Sequence, residues 1–151
     1  MKYSEVTVVL QEVPSEVTLC FTITGCKLGC NGCHSPYLWK EVNGKELNEI
    51  IYKKILDKYN GLISCVLFMG GEWYKEELIN FLLIAKKLGL KTCLYTGLEI
   101  VDNDIKNNLD FLKTGRWYKN LGGLKNINTN QKFINVKTNE NLNYLFNKIK
   151  S

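Results

Sequence analysis

Two β-branched, apolar runs, residues 6–10 and 17–23, flank the turn-like stretch QEVPSE and predict a pair of strands. From Leu47 the spacing of apolar positions lengthens to about 3.6 residues, the helical period. Leu47, Ile50, Ile51, Leu56 and Tyr59 mark one side of an amphipathic helix, with residues 43–45 as its start and Asn60 and Gly61 as its stop. Residues 63–69 are a nearly unbroken apolar run, the pattern of a strand buried on both faces of a parallel sheet. A second helix is predicted over 76–88, with Leu78, Phe81, Leu82, Ala85 and Leu88 on a common side and Gly89 as its C-terminal cap. Residues 90–95 return to a strand that ends at Thr96 and Gly97. Residues 109–112 are a weaker strand candidate and 132–136 a further one. Leu142, Leu145, Phe146 and Ile149 stripe a terminal helix.

Strand, helix, strand, helix, strand implies right-handed crossovers and an α/β domain. The expected sheet is mainly parallel, with about five strands, too few to close an eight-stranded barrel. A chain of 151 residues suffices for one domain, 1–151, with a real hydrophobic core. In open parallel sheets, ligands gather beyond the C-terminal ends of the strands. Segments 26–33, 70–72 and 96–97 each follow a predicted strand at that end, so they are expected to converge.

Composition narrows the class. Hydrophobic residues make up 45% and charged residues 23%, which excludes a disordered chain. The net charge of +5 comes partly from Lys113, Arg116, Lys119, Lys125, Lys132 and Lys137. Anionic substrates, an acidic partner or a solvated face would all explain it. Lacking denser basic clusters or a nucleic-acid module, the chain is expected to have no nucleic-acid partner. The apolar run 62–71 is broken by Ser64 and too short to span a bilayer. The first residues lack the apolar core and cleavage site of a secretory signal. A cytoplasmic protein with no membrane association is expected.

The six cysteines divide into two sets. Cys20, Cys65 and Cys93 sit inside apolar strand-like runs, as small buried hydrophobes do. Cys26, Cys30 and Cys33 crowd into the loop 25–36, spaced C-x₃-C-x₂-C among Gly25, Gly29 and Gly32. In a reducing compartment such crowding points to metal rather than disulfides. Soft thiolates select Fe–S, zinc or copper. A structural zinc site wants a fourth ligand, and the sole histidine, His34, follows Cys33 too closely to share its ion comfortably. Ferredoxin spacing differs and supplies a fourth thiolate. Three thiolates suit three irons of a [4Fe–4S] cubane with the fourth iron open; zinc and unligated thiols are the alternatives. His34 reads as a loop cap or a neighbour of the cluster.

This triplet is the signature of the radical S-adenosylmethionine superfamily, which the chain resembles. The second matching feature is Gly70-Gly71-Glu72 after the 63–69 strand. Within the superfamily, TGCKLGCNGCHSPYLW at 24–39, LYTG at 94–97 and DFLKTGRWYKNLGGLKNINTNQKF at 110–133 look like the activating enzymes of anaerobic ribonucleoside-triphosphate reductase. The resemblance covers most of 18–135 and implies an open partial (β/α) barrel, the minimal radical S-adenosylmethionine domain. It departs at residues 12–16, where a DGPG-like segment is common, at Trp73, often proline, and at Lys132, where Asn-Gln-Arg ends.

The resemblance implies that Cys26, Cys30 and Cys33 ligate a [4Fe–4S] cluster whose open iron binds the methionyl amino and carboxylate groups of S-adenosylmethionine. Gly70 and Gly71 would cradle the methionyl end, Glu72 would orient that turn, and Thr96 and Gly97 would line the pocket. One electron from an external reductant such as flavodoxin or ferredoxin would cleave the cofactor. The 5′-deoxyadenosyl radical would then take a hydrogen atom from a glycine Cα of the partner reductase. Homolytic transfer needs no acid–base pair, and no catalytic side chain is nominated. Lys113 and Arg116 would meet the cofactor carboxylate, the partner or solvent. The competing functions are a radical enzyme acting on another peptide or small molecule, and a non-enzymatic Fe–S electron-transfer or zinc-binding module.

Overall fold

The computed structural model describes residues 1–33 and 35–147; His34 and Ile149, both considered above, lie outside the described residues. Eight strands form one sheet: β1 (Lys2–Val9), β2 (Thr18–Ile23), β3 (Lys45–Glu46), β4 (Cys65–Met69), β5 (Lys91–Tyr95), β6 (Phe111–Thr114), β7 (Lys132–Asn135) and β8 (Glu140–Asn141). Their order is β3-β1-β2-β4-β5-β6-β7-β8. The centre, β2-β4-β5-β6, is parallel, and every pairing outside it is antiparallel.

The fold is therefore mixed α/β, and the expectation of a mainly parallel sheet is corrected. Four of the seven pairings are antiparallel, including that of β7, which the predicted run of about five parallel strands had included. The reason is connectivity. No helix of the described chain lies between β6 and β7, and without a helical crossover the segment returns antiparallel.

The two helices that carry the predicted crossovers are α1 (Glu49–Lys58) and α2 (Lys75–Lys87). The first starts later than residues 43–45, at Asn48, whose side chain accepts from the Ile51 N–H at 2.9 Å as an N-cap. Leu47 is thus outside the helix yet fully buried, and Ile50, expected on the inner side, is 67% exposed. Tyr52 takes the inner place and donates its hydroxyl to the Phe81 carbonyl at 2.9 Å. The second helix ends as expected, before Gly89 at φ +79. Two short helices follow, α3 (Asn103–Lys106) and α4 (Tyr144–Asn147).

Period-two alternation gives the sheet two buried faces. Leu19, Phe21, Ile23, Val66, Phe68, Leu94 and Leu112 pack with α1, α2 and α3. On the other face Cys20, Cys65, Leu67, Cys93 and Phe133 form a second cluster with Leu124, Leu142 and Phe146. Strand parity places Met69, Tyr95 and Lys113, at the C-terminal ends of β4, β5 and β6, on this second face. No helix among the described residues is long and apolar enough to cross a membrane.

Candidate metal centre

The cysteine loop leaves β2 at its C-terminal end. The N–H groups of Gly25 and Cys26 both donate to the Leu38 carbonyl, at 2.7 and 3.2 Å, which ties the loop's start to the turn Pro36–Trp39. The Cys33 N–H closes on the Cys30 carbonyl at 3.1 Å, and the Ser35 N–H donates to the Cys33 sulfur at 3.4 Å. Gly25, Gly29 and Gly32 all have positive φ, a path that residues with a Cβ resist. The glycine spacing in the sequence is thus a backbone requirement of the loop.

Burial separates the thiols as the sequence divided them. Cys26, Cys30 and Cys33 are free and half-buried, whereas Cys20, Cys65 and Cys93 are free and buried. Burial pushes Cys20 and Cys65 up to about 12 and Cys93 well above its usual range, so these three stay protonated packing groups. Burial also raises Cys26; the Leu28 N–H opposes that shift, while the charges of Glu72, Cys30 and Cys33 add to it.

A cavity of about 320 Å³ opens beside the loop. Cys26 and Cys33 stand on its wall with Gly70, Glu72, Thr96 and Gly97, so the segments after β2, β4 and β5 do converge. Cys30 and Gly71 do not reach that wall. Cys30 lies close enough for its charge to act on Cys26 and Lys113, while a Cβ on Gly71 would meet Ile23 and Met1 instead. The remaining wall is mostly apolar, from Ile23, Leu28, Met69 and Trp73.

Two charged groups face this space. Glu72 accepts from the Thr96 hydroxyl at 2.6 Å through Oε1, while its buried Oε2 has no hydrogen-bond partner. Burial raises the Glu72 carboxyl; its bond to Thr96, its own backbone N–H and the Lys113 charge work against that shift. Lys113 Nζ donates to the carbonyls of Thr96 and Gly115, at 3.4 and 3.3 Å, and burial pulls it down to about 8. A buried carboxylate oxygen without a donor is costly, and a bound ligand that donates a hydrogen bond would remove the cost.

Among the described residues no three Cys, Asp or Glu side chains converge on a point that one metal ion would occupy. A cubane takes each thiolate on a different iron, so its ligands stand farther apart.

A family model described as a 4Fe-4S single cluster domain matches residues 16–141, well over half of the chain. The chain belongs to that family. No curated protein and no solved structure matches it. For a domain of this family, three accessible soft donors in one loop beside an uncommitted cavity fit an iron–sulfur cluster by donor chemistry.

Several residues on the site were not selected from the sequence. Tyr95 and Met69 reach it because strand alternation points them to the Lys113 face, a signal present in the sequence. Trp73 could not be placed that way. Its indole N–H donates to the Thr24 carbonyl at 3.3 Å, and a Cβ on Gly70 would come within 2.7 Å of its ring, so it wedges the turn 70–72 against the start of the cysteine loop.

Proposed function

We propose that the protein is a radical S-adenosylmethionine enzyme, with Cys26, Cys30 and Cys33 holding the cluster and the cavity beside them holding the cofactor. The observation that carries this reading is the partnerless Glu72 Oε2, in a cavity that Lys113 also lines. An acceptor and a donor in one small, largely apolar space suit an α-amino and α-carboxylate pair. A pure electron carrier would have no use for that pair. Glu72 would accept from an N–H of the amino group, Thr96 would keep the Glu72 carboxylate oriented, and Lys113 would face the cofactor's carboxylate. Met69, Trp73 and the rest of the apolar wall would keep water from the reacting bond. Together, a reduced cluster and S-adenosylmethionine supply homolytic cleavage of the cofactor and hydrogen-atom abstraction.

The finer reading is an oxidoreductase that activates anaerobic ribonucleoside-triphosphate reductase by forming a glycyl radical on it. The phrases at 24–39 and 110–133 support it, as does a cavity too small to enclose a second substrate beside the cofactor. In this reading β2-β4-β5-β6 serves as the core of a partial (β/α) barrel, the setting is cytoplasmic, and flavodoxin or ferredoxin supplies the electron. Anaerobically reconstituted protein with dithionite should release 5′-deoxyadenosine from S-adenosylmethionine. Added reductase should acquire a protein-borne doublet in electron paramagnetic resonance. Absence of 5′-deoxyadenosine would end the radical reading; cleavage without the doublet would end the activase reading alone.

A further inference from the structure

The middle of the cysteine loop is gripped from across the sheet. Arg116 Nη2 donates to the Leu28 carbonyl at 2.8 Å, between Cys26 and Cys30 in the sequence. The Leu28 side chain lies against Gly97, where a Cβ would overlap its Cδ1. Arg116 is itself held: the Gly115 N–H donates to the Leu98 carbonyl at 2.9 Å, and Asn130 Nδ2 donates to the Arg116 carbonyl at 3.0 Å. Lys113 Nζ and Gln131 Nε2 both reach the Gly115 carbonyl, at 3.3 and 3.4 Å. Segments after β5, β6 and before β7 thus brace one guanidinium against one peptide of the loop.

We propose that Arg116 is a positioning residue for the cluster: it latches the loop between Cys26 and Cys30 and biases the cluster toward its reduced form. The proposal rests on the ligand assignment above, though not on the cofactor or the partner. A loop with three left-handed glycines has a large conformational entropy to lose, and a bond at its centre removes much of that freedom before the cluster binds. A hydrogen bond from a charged donor is stronger than a neutral one. A guanidinium brings a positive charge, and three thiolates with a reduced cluster carry more negative charge than with an oxidised one. A fixed cation at Leu28 therefore favours the reduced form.

The test uses the full chain, reconstituted anaerobically, as wild type, Arg116→Gln and Arg116→Lys. It reads three quantities: cluster lifetime under EDTA challenge, midpoint potential in a mediated dithionite titration, and melting of the cluster-free protein. Arg116→Gln should lose its cluster roughly tenfold faster. Its reduced-to-oxidised ratio at fixed poise should fall about tenfold, which is about 59 mV for a one-electron couple. Arg116→Lys keeps the charge without the fork, so it should regain the potential more than the lifetime. Wild-type lifetime and potential in Arg116→Gln would overturn the proposal. So would equal losses in both variants that follow a fall in melting temperature, since Arg116 would then serve only the fold. If Arg116→Gln does not fold, Arg116→Lys decides: a shortened lifetime at unchanged potential sustains the latch, and a wild-type lifetime overturns it. Cofactor cleavage is not read, so a cluster indifferent to Arg116 ends the latch alone, while iron retained by Cys30→Ala ends the ligand assignment.

Discussion

Replacing Glu72 with glutamine changes almost no volume and leaves an oxygen to accept from the Thr96 hydroxyl, now 2.6 Å from Oε1. What it removes is the negative charge on Oε2, the buried atom without a partner. In the proposed complex that charged atom accepts from an N–H of the ligand's amino group, and a hydrogen bond involving a charged group contributes about 1.5–3 kcal/mol. Affinity for S-adenosylmethionine should therefore fall roughly ten- to hundredfold. Iron content should not change, because no thiol is touched. The cluster-free protein should respond in the opposite direction. Burial raises the Glu72 carboxyl in the folded state above its ordinary 4.5, so ionisation opposes folding. This penalty is absent below the ordinary value, grows as pH rises through the raised one, and is complete above it. The glutamine variant escapes it, so its melting advantage over wild type should widen as pH rises from 4.5. Isothermal titration of cluster-loaded protein and thermal melts of the cluster-free protein across pH measure the two effects. Unchanged cofactor affinity together with a lower melting temperature at neutral pH would refute the reasoning, because Glu72 would then be a structural acceptor and not a ligand group.

Three further outcomes follow from the same geometry. Alanine at Cys26, Cys30 or Cys33 should abolish the stable cluster, as iron and sulfide analysis will show. Alanine at the buried Cys20, Cys65 or Cys93 should keep the cluster and cost about 1 kcal/mol or somewhat more in a denaturant melt. Burial holds Lys113 at about 8 in the fold, below its unfolded value of 10.5, so the charged form opposes folding. Cluster-free protein should gain stability from this group as pH rises from about 8 towards 10.5, and Lys113→Met should flatten that rise in pH-dependent melts.

The elements and the cysteine chemistry were largely legible in the chain, because they rest on local rules. Runs of buried residues announced β2, β4 and β5, helical spacing announced α1 and α2, and Gly89 marked where α2 stops. The division of six cysteines into a loop set and a strand set survives as half-buried against buried thiols, since the central strands are covered on both faces. The convergence of 26–33, 70–72 and 96–97 was likewise deducible, because parallel strands present their C-terminal ends on one side.

Long-range geometry decided the rest. Whether β7 returns parallel or antiparallel depends on what connects it to β6, and the apolar run 132–136 carries no sign of direction. Ile50 stands on the helical stripe of the sequence and Tyr52 does not, yet the docking of α1 chose Tyr52, whose ring packs against Phe21 and Phe81. The uncommitted oxygen of Glu72, the depressed Lys113 and the Arg116 grip on Leu28 have no local signature. Each arises where segments far apart in sequence meet, and there burial and partner count set what a side chain can do.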